Sequence, residues 1–523
     1  MACIGPFASL RVTTSRPLLL DLWPMHIRFL AVILLTSALP AAMQAQGSPY
    51  VALDDPRLPL AEHLITRGVV RDPSPQIRPF RRDQIVASLA AADTAPDTPD
   101  GRVIRALREG WTDLESESRW MVEGRLGVQA YTRQRRDLLH PDGTSSVQPY
   151  VDLRLEGVFG PIVAVSRPAI EPRLSKDPDW RGRTDLKVVG RMNEAYLAAQ
   201  FRFGSIWFGQ FDQQWGPIGT YGIPISAGVS YSRPYLGLEV GSRDVRLAAQ
   251  VATLRDEVDS TGAIIKRYHV MHRLSVRTSE RLSLALWETT VLAGEDRSLE
   301  GRFINPLSLL LLANQYGEGD PGNVTIGFDA SWRAFRRTTL ELQLAIDDIQ
   351  YQSTGYPNRW ALTAAAFGPL GNRLAWRGTY TAASTLAFQS QNVFENYAER
   401  GVGIGRGFPD MDVLSLSISL PFAERWLVSP TIAAQRQGER RITDAFPPTA
   451  ADADGLPEIH SGTVEKTLRL SVGATGRASF FDLGADAGVS FVNDADNVQG
   501  RNRTRFEGKL QATLFFSRRG VLK

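Results

Sequence analysis

Residues Thr338–Gln352 read TTLELQLAIDDIQYQ. Leu340, Leu342, Leu344 and Ile346 alternate with Thr339, Glu341, Gln343 and, past Ala345, Asp347. A period of two is that of a β-strand with one apolar and one polar face. At about 3.4 Å per residue the apolar row covers roughly 20 Å, close to the reach of a tilted strand through hydrocarbon. The expected placement is apolar row to lipid, polar row to the interior of a barrel. Asp347 and Asp348 then point to opposite faces and cannot act together as a catalytic dyad. Asp348 shares its register with the leucines and must lie beyond the hydrocarbon, because a carboxylate facing lipid is costly. Asp347 is placed to bond lumen residues such as arginines on adjacent strands. The pair marks the exit of a strand from a membrane.

The same alternation fills most of the chain after Trp120. Trp120, Val122, Leu126 and Val128 oppose Glu123, Arg125 and Gln129. Val151, Leu153 and Leu155 oppose Asp152, Arg154 and Glu156, and Phe506, Leu510, Leu514 and Phe516 oppose Arg505, Glu507, Lys509 and Gln511. A soluble sandwich also alternates, but three features point to a barrel with its apolar face outward. The runs are about ten residues long, the length of a tilted membrane strand. Aromatics such as Trp120, Tyr131, Tyr150, Phe159 and Trp426 stand near strand ends, as interfacial girdles do. Connections alternate between tight turns (Gly160-Pro161, 278–280, 421–424) and long polar loops (132–149, 169–193, 214–234, 289–322, 382–411, 437–465). The pattern predicts an antiparallel transmembrane barrel of about 18 strands, with 16 the neighbouring count, spanning residues 119–518. Both ends are expected on the short-turn side, which in outer-membrane barrels is periplasmic.

Ahead of the barrel the period is that of helices. Residues 46–118 predict a small periplasmic three-helix bundle, with stripes such as Val103, Ile104, Leu107, Trp111 and Leu114 as its core. From Met25 the order is a basic start at Arg28, an apolar run Phe29–Leu39 and small residues up to Ala45. That is the layout of a secretory signal peptide, so residues 1–45 are expected to be an upstream segment plus an export signal cleaved near Ala45. Cys3, the only cysteine, falls in that segment, leaving a mature chain without thiols. A formal net charge of +3 from 59 basic and 56 acidic residues is too balanced for a nucleic-acid binder.

No metalloprotease helix, nucleophile elbow, phosphate loop or dinucleotide fingerprint occurs, and no cofactor or metal is expected. His269 and His272 stand three apart in a strand and so face opposite sides. The run GVGIGRG, 401–407, follows no strand-to-helix junction and reads as a flexible loop. What remains is the loop surface. Trp180, Arg181, Trp215, Tyr221, Tyr231, Tyr316, Tyr397 and Arg400 offer aromatic planes and guanidinium donors. Those groups suit sugars, whose C–H faces stack on rings while hydroxyls take hydrogen bonds. The plainer reading is that they tie the loops to one another over the barrel mouth.

Four stretches carry a family likeness: YVALDDPRLPLAEHLITRGVVRDPSPQIRPFRRDQIVASL from Tyr50, FGQFDQQWGPIGTYGIPISAGVSYSRPYLGLEV from Phe208, LELQLAIDDIQ from Leu340, and YTAASTLAFQSQNVFENYAERGVGIGRGFPDMDVLSLSISL from Tyr380. In this order they resemble the Wzi-type capsule assembly proteins of Gram-negative outer membranes. WGP after a strand, followed by a serine-rich strand and a proline-bearing one, is the most distinctive element. The resemblance implies a periplasmic helical bundle joined to an 18-stranded barrel. It also implies lectin-like handling of capsular or exopolysaccharide at the cell surface, without catalysis, with the polysaccharide export machinery and outer-membrane lipid as further partners. Where an asparagine-rich segment is expected, this chain has WGPIGTYGIPIS. Two other readings stay open on the residues alone: a diffusion porin or transporter, and an outer-membrane hydrolase.

Overall fold

The computed structural model describes residues 46–112, 118–228, 230–315, 322–335, 337–348 and 355–522. The expected signal segment lies outside the described residues. The barrel strands, numbered in chain order, are β1 (Arg119–Tyr131), β2 (Ser146–Phe159), β3 (Ile162–Ile170), β4 (Gly190–Phe201), β5 (Gly204–Gln210) and β6 (Tyr235–Gly241). There follow β7 (Val245–Thr253), β8 (Ile264–Arg277), β9 (Leu282–Glu295), β10 (Asn323–Phe335), β11 (Thr338–Asp348) and β12 (Arg359–Leu370). The last six are β13 (Leu374–Ala383), β14 (Met411–Phe422), β15 (Trp426–Gln437), β16 (Glu465–Ala478), β17 (Phe481–Asn493) and β18 (Arg503–Val521). Each pairs antiparallel with its sequence neighbours, and β1 closes on β18 from Arg119↔Val521 to Tyr131↔Lys509. The result is a closed transmembrane barrel of 18 strands, which leaves no open sheet edge in the wall. The final strand runs to Val521, and its residues 517–521 pair with the start of β1.

The two faces are those of the alternation. On β11, Glu341 and Gln343 are buried inside and Ile346 is exposed outside. Asp347 accepts a hydrogen bond from Thr325 Oγ1 at 2.9 Å and lies 3.6 Å from the Arg359 guanidinium, the neighbouring-strand contact its register demanded. A bulge intervenes between Ile346 and Asp348 in the pairing with β12. Outward rows such as Phe506, Leu514 and Phe516 stand exposed, as an apolar belt does. Short turns and both strand ends of the β1–β18 seam gather at one end, and the long loops at the other.

Ahead of β1 come three helices, α1 (Leu58–Thr66), α2 (Arg82–Ala90) and α3 (Pro99–Trp111). Their apolar stripes share one core, with Leu60, Leu64, Phe80, Ile85, Leu89, Leu107 and Trp111 buried, and that core also takes in Leu427 of β15. This N-terminal segment is bonded around the inside of the wall. Arg82 forms a bidentate pair with Glu156 of β2 at 2.9 and 2.7 Å, and the Ser48 amide donates to Gln200 of β4 at 2.7 Å. Arg277 of β8 donates to the Pro73 carbonyl at 3.1 Å, and Gln76 donates to the carbonyls of Ala330 and Leu342 on β10 and β11 at 3.0 and 3.1 Å. Arg377 of β13 reaches Thr66 Oγ1 at 3.0 Å, and His63 Nδ1 meets Ser419 Oγ of β14 at 2.7 Å.

Candidate functional site

Two parts of the chain meet inside the barrel. Ile77 and Arg78 of the N-terminal segment pair antiparallel with Trp215 and Gln214 of the β5–β6 loop. Gln343 of β11 fixes the meeting point: its side chain donates to the Trp215 carbonyl at 3.0 Å and accepts from the Ile223 amide at 3.0 Å. Gly216 is required there. Its φ is +136°, and a Cβ would stand 2.4 Å from Gln343 Oε1. The β13–β14 loop docks onto the same β5–β6 loop. A Cβ on Gly405 would strike the Ile223 carbonyl at 1.7 Å, and a Cβ on Gly403 would stand 2.2 Å from the Gly407 Cα. The glycine run expected to be a flexible loop is a close-packed seam instead. Inward side chains complete the filling, with His269, Asp329, Gln343 and Thr363 all fully buried.

Above this level the β3–β4 loop carries an arginine-rich cap. Glu171 accepts from Arg173 Nη2 at 2.7 Å and from Arg191 Nε at 3.0 Å. Burial alone would raise the Glu171 carboxyl, but Arg191 and Arg173 together hold it at about 2, so it stays ionised. Arg173 also donates to the Tyr231 hydroxyl at 2.9 Å and pairs with Asp177 at 2.5 Å. The Tyr231 ring lies within 4.1 Å of the Arg136 guanidinium and 4.8 Å of that of Arg191. Asp179, beside Arg135 at 3.2 Å, is pushed up to about 6 by burial, against the pull of that guanidinium.

The residues expected at a sugar-facing surface divide into three groups. Trp180, Arg181, Tyr231 and Arg400 come together. Trp180 sets its edge on Tyr231 with centroids 5.4 Å apart, Arg181 donates to the Tyr231 carbonyl and pairs with Glu399 at 3.1 Å, and Arg400 donates to the Arg181 carbonyl at 2.7 Å. Of these Arg400 is exposed, Trp180 and Arg181 are half-buried and Tyr231 is buried. Tyr221 belongs to a neighbouring cluster with Phe408, on which His140 stacks at 4.0 Å. Trp215 and Tyr397 lie deeper, 2% and 3% exposed. Trp215 is at the seam just described. The Tyr397 hydroxyl donates to the Pro224 carbonyl at 2.7 Å and sits 2.6 Å from His269 Nε2 and 2.8 Å from Thr289 Oγ1. Both stand inside the barrel and not on the loop surface expected of them, because bulky rings fill lumen that inward strand residues leave open. Tyr316 lies outside the described residues.

Between the cap and the N-terminal segment is a chamber of about 570 Å³, reached by Asp54, Tyr131, Arg136, Tyr150, Asp212 and Lys509 among others. Asp54 spans it to Arg167 in a bidentate pair of 2.7 Å contacts. Asp212 Oδ1 is buried with no hydrogen-bond partner among the described residues, and burial raises its carboxyl. Reading the sequence for loop aromatics misses this chamber; its signal was the charged inward rows.

No family model matches the chain, and no curated protein matches it. Among solved structures it is similar to Wzi, an outer-membrane protein involved in group 1 capsule assembly in Escherichia coli and described as a carbohydrate-binding β-barrel. The match has a TM-score of 0.61 and 14% identity, over 90% of this chain and 99% of that one. That likeness shows the barrel fold. OprD of Pseudomonas aeruginosa matches at a TM-score of 0.42 and 11% identity, over 77% of this chain and 95% of that one. OccAB2 of Acinetobacter baumannii matches at 0.41 and 10%, over 76% and 98%.

Proposed function

We propose that this chain is a non-enzymatic outer-membrane barrel that holds capsular or exopolysaccharide at its long-loop end. The observation that carries the reading is the closure of the lumen from both ends by the protein's own chain, under a cap of rings, guanidinium groups and carboxylates. A diffusion pore needs a continuous wet passage, whereas here the N-terminal segment and the β5–β6 loop pair inside the barrel. Sugars favour the groups the cap offers: an aromatic face with charged donors and acceptors around it. The likeness to a carbohydrate-binding barrel of capsule assembly supports the same reading.

In this orientation the long loops are extracellular, the short turns and both strand ends periplasmic, and the exported chain arrives by the signal within residues 1–45. The helices within residues 46–112 lie at the short-turn end, where Arg67 and Arg102 meet the turns at Asn372 and Glu424, while Gln76 to Arg78 reach into the lumen; the exposed part of that end is positioned to meet polysaccharide export machinery. Trp180, Arg181 and Arg400 are the contact residues, with Tyr231 and Glu399 positioning them. Surface polysaccharide retention in cells tests this. Trp180→Ala with Arg400→Ala should release polysaccharide to the medium while the barrel still assembles; unchanged retention would overturn the lectin-like role. Planar bilayers supply the check on the closed lumen: the parent should be silent, and large ohmic steps would make it a porin.

A further inference from the structure

On the outer wall one lateral row breaks the apolar rule. Following the strand register gives Ile206, Leu238, Ala249, His272, Glu288, Ile326, Ile346 and Trp360 from β5 to β12. Two polar residues thus stand at a level where their neighbours are apolar and, at Ile206, Ile326 and Ile346, exposed. His272 Nδ1 and Glu288 Oε1 are 3.2 Å apart. A histidine–carboxylate pair facing hydrocarbon would be costly, yet both are buried, at 5% and 8% exposure.

What covers them is the β9–β10 connection, which folds back against the outside of the wall. His272 Nδ1 lies 3.2 Å from the Ser308 carbonyl. Phe303, Leu310 and Ala313 are buried with Val270 of β8 and Leu292 of β9, and Val251, Tyr268 and Val324 pack on that cluster. Asn314 closes the fold-back through reciprocal bonds with the Gly322 backbone, at 3.0 and 2.6 Å. The opposite side of the same segment is apolar and uncovered: Leu307 is 81% exposed, Leu309 60% and Leu312 55%. Below it the belt continues without a break through Leu274 and Leu286, both exposed. Two greasy faces on one short segment, one against the wall and one outward, suit a piece of chain lying in lipid; in water, leucines exposed in this way would be unfavourable.

We propose that residues 303–315 form a membrane-embedded flap whose occupant is lipid acyl chain, restoring a continuous hydrocarbon-facing belt over His272 and Glu288. The proposal rests on the outer-membrane reading and adds to it a site where a loop, not a strand, meets lipid. Cys3 is the only cysteine, so single-cysteine reporters are available on a Cys3→Ser background. Full-length protein labelled with bimane at Leu309→Cys, with Leu307→Cys as a second flap position, is reconstituted in phosphatidylcholine vesicles with or without brominated acyl chains. Leu414→Cys on β14 reports the barrel wall, and Ala451→Cys an exposed loop. Bromination should lower emission at least twofold at 309, 307 and 414 and leave 451 unchanged. Flap labels that behave like 451 while 414 is quenched would overturn the flap alone. If 414 is unquenched as well, the membrane reading falls with it.

Discussion

Asp410 offers the sharpest test of how the long loops are held. Its carboxylate is fully buried and accepts four hydrogen bonds: from Thr385 Oγ1 at 3.0 Å, the Arg440 amide at 3.1 Å, and the Ser461 amide and hydroxyl at 2.9 and 2.5 Å. One side chain thereby joins the β13–β14 loop to the β15–β16 loop. A bond to a charged acceptor contributes about 1.5–3 kcal/mol, so four at the low end sum to roughly 6 kcal/mol, and coupling within one hub cuts that to about 3. Asp410→Ala removes all four and adds strain, since the residue sits at φ +60°, which alanine adopts at a cost of about 1–2 kcal/mol. Asp410→Asn keeps one acceptor oxygen and tolerates that backbone, so it should lose about half as much. At 1.4 kcal/mol per tenfold, the alanine variant should speed local hydrogen exchange at the Ser461 and Arg440 amides about a hundredfold or more, with wall amides unchanged. Exchange within threefold of the parent would show that the two loops are held by something else.

Two further outcomes follow from contacts described above. Asp179 has a folded value near 6 against 3.8 for a free carboxyl, so its contribution favours the fold when protonated. That contribution is complete below about 4 and lost as pH rises through 6. Protease nicking of the β3–β4 loop should therefore increase between pH 5 and 7.5, and Asp179→Asn should remove the dependence and add up to roughly 3 kcal/mol of local stability at neutral pH. Gly216→Ala drives a methyl into Gln343 and should cost about 1–3 kcal/mol of local stability, seen as a lower temperature at which the folded gel band is lost; Gln343→Ala in the same chain should recover part of it, and no interaction between the two would argue against the seam.

The wall was legible because burial on one face and exposure on the other leave a period of two in every strand. Leu340 to Ile346, Val151 to Leu155 and Phe506 to Phe516 all declare it, and the order of tight and long connections follows from the same reading. Even His269 and His272 separate as their spacing requires, one into the lumen and one onto the outer wall. The interior was less legible. Nothing local to Trp215 says that a loop tryptophan will pair with Ile77, because that contact joins segments far apart in sequence and depends on how much lumen the wall residues leave free. The glycines at 401–407 read as slack and act as a tight fit, since a missing Cβ means the same thing to a flexible loop and to two backbones in contact. Asp410 and Glu288 carried no signal beyond their charge, their meaning being set by what folds over them.

The ring of attachments between the N-terminal segment and the wall has a mechanical corollary. Contacts to β2, β4, β8, β10, β11, β13 and β14 act as spokes from a hub to a hoop. An axial pull on that segment loads the spokes in parallel, so they share the force and give way together, whereas a single hinge would peel contact by contact. The same spokes resist flattening of the hoop, so lateral pressure from the bilayer is carried across the middle of the barrel as well as around its rim.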